Sequence, residues 1–174
     1  MDLSTEFTMA TTIPTMNESN ATIYTIGYAA LRPVRLFEIA EQLKATVIDC
    51  RYKPFSRIHG FDMPALKSLF KAQYEWRGHD LGGFGHVTDA GIAFVRESKH
   101  NLLLMCMEEA PGDCHRHADI CAPFFPRAIH VYRDEMILAV EFERALTLDA
   151  EYPLHGRLST HTNPKDSGPS QGGL

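Results

Sequence analysis

This sequence has no long apolar run, and that absence excludes a membrane-spanning helix. No stretch of about 18 apolar residues is available to cross a bilayer. The first twenty residues also lack the basic start and the apolar stretch of a secretory signal peptide. We therefore expect a cytoplasmic protein that has no membrane partner.

An excess of positive charge is also absent. Lys and Arg number 17 against 22 Asp and Glu, for a formal net charge of -5. That balance gives no general attraction to nucleic acid, so contact with a polyanion would have to be local. The four cysteines are irregularly spaced, and Cys50 and Cys106 lie in apolar runs where a free cysteine acts as a small hydrophobe. A disulfide framework is therefore not expected.

The sequence has neither an internal repeat nor an interior linker that would divide it. Residues 1–20 are rich in Thr, Ser and Asn, and residues 154–174 gather Gly, Pro, Ser and Asn. Both segments are predicted to be disordered tails, because they offer little apolar surface to bury. Residues 21–153 are long enough for a core and are predicted to form one domain.

Between the tails, short apolar or β-branched segments alternate with amphipathic segments of helical period. Strands are predicted at 22–26, 46–50, 74–76, 101–107 and 128–132, with a short antiparallel return at 136–138. Helices are predicted at 33–44, 63–72, 87–98, 114–125 and 140–146. This alternation predicts a three-layer α/β fold, in which helices flank a mainly parallel sheet with an antiparallel strand at its edge.

Sheets of this kind bind ligands beyond the carboxyl ends of their strands. The residues directly after three predicted strands are Gly27 and Tyr28, then 49–51, then Glu108 and Glu109. Residues 114–116 begin the next predicted helix at the same edge. A helix start carries unpaired N–H groups and the positive end of the backbone dipole, which attract anions and lower the pKa of a thiol. The sequence therefore predicts a polar pocket at this edge.

Several short segments together resemble a known family. They are TIGY at 25–28, DCR at 49–51 followed by Pro54 and Ser56, LGG at 81–83, MCME at 105–108 and CHR at 114–116. Their order and spacing resemble the family called domain of unknown function 488 over about residues 22–147. Members usually carry a His-Ser pair after TIG and a Val between Asp and Arg, where this sequence has Tyr28-Ala29 and Cys50. The resemblance implies the fold and the position of the site, and it implies no particular reaction.

The candidate catalytic residues are Cys114, His115, Asp49 and Glu108. Cys114 is predicted to be a reactive thiol with His115 as its base; the alternatives are an inert capping cysteine and a solvated histidine. Asp49 or Glu108 is predicted to supply acid-base function. Asp49 ends an apolar strand, so its carboxylate needs a partner, for which Arg51, Arg116 or a ligand hydroxyl would serve.

The candidate binding residues are Arg51, Arg116, Tyr28, Ser56, Gly82 and Gly83. Arg51 and Arg116 are predicted to form a bidentate cradle for phosphate or carboxylate; the alternative is a structural network with Asp49 or Glu108. The two glycines either let the backbone approach a ligand or simply form a turn. The aromatic and basic loop 51–59 is predicted to be a lid, and contact with single-stranded nucleic acid is the alternative.

Several familiar catalytic motifs are missing. LGGFG lacks the dinucleotide fingerprint, no phosphate-loop GK[ST] is present, and neither Cys106 nor Cys114 begins a phosphatase Cys-x5-Arg loop. No metal site is predicted, because the ligand pairs of a structural zinc do not repeat and adjacent helical residues point about 100° apart. The cofactor is left unidentified.

These observations predict an enzyme that transfers or hydrolyses a group of a small anionic, nucleotide-like or phosphate-bearing substrate. A glycosidic bond in a nucleotide is the first bond to test. The alternative is a non-catalytic module that binds or senses a nucleotide or nucleic acid through the same pocket. An enzyme needs reactive groups that converge in a dry pocket, whereas a sensor needs only an anion site.

Overall fold

A computed structural model of the protein describes residues 21–132, 135–142 and 144. The predicted tails, and residues 143, 145 and 146 of the last predicted helix, lie outside that part of the chain. The strands are β1 (Ile23–Gly27), β2 (Ala45–Asp49), β3 (Tyr74–Trp76), β4 (Leu81–Gly82), β5 (His86–Val87), β6 (Asn101–Cys106), β7 (Ile129–Tyr132) and β8 (Glu135–Leu138). The main helices are α1 (Pro33–Leu43), α2 (Met63–Phe70) and α3 (Asp89–Glu97). Residues 139–142 and 144 are also helical.

Six strands form one sheet in the order β3-β2-β6-β1-β7-β8. The pairs among β3, β2, β6, β1 and β7 are parallel, and β8 runs antiparallel to β7 at the edge. The predicted α/β fold, with a mainly parallel sheet and an antiparallel edge strand, is confirmed. No helix among the described residues combines the length and the apolar character that crossing a membrane requires.

The sheet separates two hydrophobic cores. Successive side chains of a strand point to opposite faces, and along β6 Leu103 and Met105 pack in one core while Leu102 and Leu104 pack in the other. The buried faces of α1 and α2 cover the first core, and α3 covers the second together with residues around Ile120. The uninterrupted apolar sequence of β6 follows from this burial on both sides.

The predicted helix over 114–125 is wrong in its form. A 3₁₀ turn at Pro111–Asp113 leads to an extended Cys114, with φ -131° and ψ 137°, and a π-helix then runs over Arg116–Cys121. Only Ala122–Phe124 is α-helical. Pro123 lacks the N–H that an α-helix would bond to the carbonyl of Asp119, so regular α-helical bonding fails in this segment.

The glycine-rich segment after β3 forms a hairpin that the sequence analysis did not predict. β4 and β5 pair antiparallel, and the turn between them places Phe84 at φ 61° and Gly85 at φ 81°. The predicted start of the third helix at residue 87 is therefore wrong, because Val87 belongs to β5. α3 begins at Asp89, with Thr88 as its cap: the Thr88 hydroxyl accepts a hydrogen bond from Gly91 N at 3.2 Å.

Candidate functional site

The carboxyl ends of β1, β2 and β6 lie side by side. Gly27 is opposite Cys106 and Asp49 is opposite Met105 in the parallel register. The ladder continues past the strands, since Tyr28 N donates to Cys106 O at 3.1 Å and Cys50 N donates to Met105 O at 2.9 Å. The candidate residues that follow these strands therefore start from one edge of the sheet.

Asp49 and Arg51 form a buried ion pair. The Arg51 guanidinium donates through Nε to Asp49 Oδ1 at 2.8 Å and through Nη2 to Oδ2 at 2.5 Å. The Tyr74 hydroxyl donates to the same Oδ2 at 2.6 Å, and the remaining Arg51 nitrogen donates to Tyr28 Oη and to the Phe61 carbonyl. Burial alone would lower the pKa of Arg51, but the hydrogen bonds and the charge of Asp49 raise it. Asp49 therefore has the partner that its burial requires.

Arg116 is fully buried and holds a loop. Its Nη1 donates to the carbonyl of Glu108 at 2.7 Å and its Nη2 to the carbonyl of Glu109 at 3.0 Å. Its Nε has no hydrogen-bond partner among the described residues. The two guanidinium groups of the predicted cradle are thus both bound to groups of the protein: Arg51 to Asp49, and Arg116 to the turn that carries Glu108.

Four reactive side chains meet at the end of β6; we call Cys106, Glu108, Cys114 and His115 the thiol cluster. His115 Nδ1 lies 3.8 Å from Cys106 Sγ and 3.7 Å from Cys114 Sγ. Cys106 Sγ donates to Glu108 Oε2 at 3.1 Å. His115 Nε2 lies 3.0 Å from the carbonyl of Leu81, which can only accept, so the Nε2 proton points there and Nδ1 faces the sulfurs.

The electrostatics of the thiol cluster favour one thiolate. The pKa of Cys114 is lowered to about 5. Interaction with Cys106 is the largest cause, burial opposes it, and His115 and the charge of Arg116 add to the lowering. The same interaction, together with burial, raises the pKa of Cys106. Burial alone would lower the pKa of His115, but its hydrogen bond with Cys114 raises it. Two sulfurs this close titrate as a pair, and they share one negative charge beside the His115 ring.

Glu108 adds a carboxylate at the open side of the thiol cluster. Burial favours its neutral form, yet hydrogen bonds from its own backbone N–H and from the two thiols lower its pKa. Glu108 is half-buried. A carboxylate, a thiolate and an imidazole therefore converge within one small volume, where they can exchange protons with a ligand.

A pocket of about 650 Å³ opens above the thiol cluster. Its floor includes Cys106, Glu108 and His115, whereas Cys114 does not line it. Tyr28, Arg51 and Gly83 also line it. The rim carries Tyr52, Lys53, Phe55, Phe84, Met107 and Asp113. This volume is within the range of ordinary small-molecule sites.

The remaining predicted residues lie apart from the pocket floor. The Ser56 hydroxyl accepts a hydrogen bond from Ile58 N at 3.0 Å and does not line the pocket. Gly82 packs against backbone, since a Cβ there would lie 2.3 Å from the carbonyl of Gly78. At Gly83 a Cβ would lie 3.1 Å from His115 Nδ1. Both glycines therefore provide room for protein groups, and Gly83 does so for the His115 ring.

Sequence reasoning did not place Cys106 or Phe84 in the candidate site. Cys106 was interpreted as a small hydrophobe because it ends an apolar strand, although its position directly before Met107-Glu108 places it at the ligand-binding edge. Phe84 is 92% exposed, and an aromatic residue between two glycines was a signal that could have marked the rim. The argument that Cys114 and His115 point apart also fails, because Cys114 is extended rather than helical.

Comparisons with known proteins add no relative: no family model, no curated protein and no solved structure matches this chain.

Proposed function

We propose that this protein is an enzyme that transfers or hydrolyses a group of a small, ring-bearing anion, such as a nucleotide, in the pocket at the strand ends. One observation carries the proposal: Cys106 Sγ and His115 Nδ1 lie 3.8 Å apart on the pocket floor, and the Leu81 carbonyl fixes the ring. Covalent catalysis requires at least a nucleophile and a proton-transfer group that lie within hydrogen-bonding reach of each other.

In the proposed reaction, Cys106 is the attacking sulfur, because it lines the pocket whereas Cys114 does not. As Cys106 attacks, its proton passes to the Cys114 thiolate, and the proton returns when the Cys106 sulfur is released. The Cys106 sulfur forms a bond to the substrate as the bond to the leaving group breaks, and the leaving group takes a proton from His115. Water then gives a proton to His115 and its hydroxide to the substrate. The thiolate is released, and the net reaction is hydrolysis.

The rim supports a planar, negatively charged substrate. Phe55 is 71% exposed and Phe84 is 92% exposed, so both rings are free to stack on a ligand ring. Lys53 adds a cation to the rim, and Arg51 reaches the pocket wall. Asp49 is assigned a positioning role in this proposal, because its oxygens are occupied by Arg51 and Tyr74.

A first experiment combines binding and turnover. The full-length protein, reduced and metal-free, is incubated with a panel of nucleosides, nucleotides and sugar phosphates. Thermal shift reports binding, because a ligand of the folded state raises the unfolding temperature, and mass spectrometry reports products. We expect at least one nucleotide to do both.

Variants then identify the roles. Cys106→Ser and His115→Gln should retain the ligand-induced thermal shift and lose turnover by at least about a hundredfold, in the range usual for a general acid-base group. Cys121→Ala is the matched control, since Cys121 is buried in the second core. Wild-type turnover in His115→Gln would overturn the proposal. Binding without turnover in the wild-type protein would support a nucleotide-binding module instead.

A further inference from the structure

We infer that Cys106, Cys114, His115 and Glu108 form a binding site for one zinc-like divalent metal ion. The inference goes beyond the proposed reaction and does not rest on it, because metal binding is measured without substrate. It rests on where the donor atoms lie and on what surrounds them.

The spacing of the donors fits a tetrahedral ion. Cys106 Sγ, Cys114 Sγ and His115 Nδ1 all lie within 4.8 Å of one another. The two sulfur-to-nitrogen distances are 3.8 and 3.7 Å. Zinc bonds of about 2.3 Å to sulfur and about 2.0 Å to nitrogen place neighbouring sulfur and nitrogen ligands roughly 3.5 Å apart. A contraction of a few tenths of an ångström would therefore bring Nδ1 and each sulfur to the separation that they have around one zinc ion.

His115 is already oriented as a metal ligand. Histidines that bind metals usually donate their other ring N–H to a carboxylate or a backbone carbonyl, which fixes the ring. Here Nε2 faces the carbonyl of Leu81 at 3.0 Å, so the lone pair of Nδ1 is available on the side of the sulfurs. Gly83 leaves room at that nitrogen, since a methyl group there would lie only 3.1 Å from Nδ1.

Glu108 lies beside these three donors on the pocket side, and a turn of its side chain toward the ion would supply a fourth ligand. Its Oε2 lies 3.1 Å from Cys106 Sγ, and its carboxylate contacts both thiols. Two sulfurs, one imidazole nitrogen and one carboxylate oxygen match the borderline-soft character of zinc better than that of magnesium or calcium. Two thiolates and a carboxylate also balance a divalent ion together with the charge of Arg116, which holds the Glu108 backbone. The pocket gives the ion a path from solvent.

Cobalt titration tests the inference. Reduced, metal-free full-length protein is titrated with Co²⁺ and then with Zn²⁺. We expect one equivalent of Co²⁺ to bind with thiolate-to-cobalt absorption in the near ultraviolet, and one equivalent of Zn²⁺ to remove that absorption. Native mass spectrometry should show one zinc per chain. If Co²⁺ did not bind, or if it bound without the thiolate absorption, the inference would be overturned.

Variants locate the donors. Cys106→Ser and Cys114→Ser should each lose at least half of the thiolate absorption, and His115→Gln should weaken binding. Cys121→Ala and His86→Gln are the matched controls and should behave as wild type. Gly83→Ala keeps every donor but crowds Nδ1, so we expect about tenfold weaker binding, as for changes beside metal ligands. Unchanged absorption in both serine variants would place the metal elsewhere and reject the site.

The result is separable from that of the proposed function. A protein that binds zinc as described but turns over only in its metal-free state supports both proposals, because the ion occupies the attacking sulfur. A protein that turns over only with zinc supports the metal site and overturns attack by Cys106. Turnover in a protein that binds no metal rejects the metal site alone.

Discussion

A Cβ atom at Gly27 would lie 1.8 Å from the carbonyl oxygen of Glu108. The end of β1 and the turn after β6 therefore touch backbone to backbone, with no space for a side chain between them. Arg116 holds the same Glu108 carbonyl through Nη1. These two contacts position the turn that carries Glu108, and they explain why glycine ends β1.

Gly27→Ala should displace that turn. We expect destabilisation of about 1–3 kcal/mol or more, because the new methyl group overlaps main-chain atoms that cannot rotate away. Cobalt affinity should fall as well, since Glu108 moves from the thiol cluster. Urea unfolding and cobalt titration measure the two effects. Gly85→Ala is the control: it adds the same methyl group where no atom lies within 4 Å, at a backbone φ of 81°. It should lose some stability and keep its cobalt affinity.

The fold was predictable because its local signals agree with one another. The apolar run of β6 specifies a buried strand, and the apolar stripe of α1 specifies a helix with one buried face. The observed strand boundaries differ from the predicted ones by about one residue, as expected when boundaries are predicted from sequence patterns alone. The π-helix after Cys114 was not predictable, because Pro123 indicates only that α-helical bonding fails and does not specify which bonding replaces it.

The site was only partly predictable. Position after a strand placed Glu108 at the pocket, but it could not show that Arg116 would turn inward to backbone carbonyls. Nor could it show that Cys106 would meet Cys114, since that contact depends on the extended backbone at Cys114. Side-chain direction at a loop is set by tertiary packing, which one sequence does not display.

Asp49→Asn should destabilise the folded protein. The change leaves the Arg51 guanidinium buried without its counter-charge, which typically costs about 3–5 kcal/mol. Urea unfolding measures the cost. Glu108→Gln is the comparison: because Glu108 is half-buried, we expect a smaller stability change. If Asp49→Asn proved as stable as wild type, the structural role of the Asp49–Arg51 pair would be rejected.

Phe84→Asn should separate stability from ligand binding. Phe84 has a φ of 61°, in the left-handed region that asparagine tolerates better than phenylalanine. We therefore expect stability to be unchanged or to rise by about 1 kcal/mol. Nucleotide affinity should fall by about 1–3 kcal/mol if the ring stacks on the ligand. Isothermal titration measures the affinity. Phe124→Asn removes another exposed ring that does not line the pocket, and it should leave nucleotide binding unchanged. Equal affinities in all three proteins would rule out stacking on Phe84.

The buried pair of His117 and His130 should make stability depend on pH. His130 Nδ1 lies 2.7 Å from Thr25 Oγ1, and its Nε2 lies 2.9 Å from His117 Nδ1. Burial, with the charges of His117 and Arg116, lowers the pKa of His130 to about 3. Unfolded histidine titrates near pH 6.5, so below that pH the unfolded chain binds a proton that folded His130 does not. This contribution to stability is complete above about pH 6.5 and is lost progressively towards pH 3.

We expect the loss to reach about 1.4 kcal/mol per pH unit well below pH 6.5, because one proton separates the two states. His130→Gln removes that proton. At pH 7 the variant should be less stable than wild type, since Gln cannot reproduce both hydrogen bonds. The difference should shrink as the pH falls from about 6 to about 4.5. Urea unfolding of both proteins over this range measures the difference. Parallel stability curves would show that His130 is already protonated in the folded protein, contrary to its burial against His117.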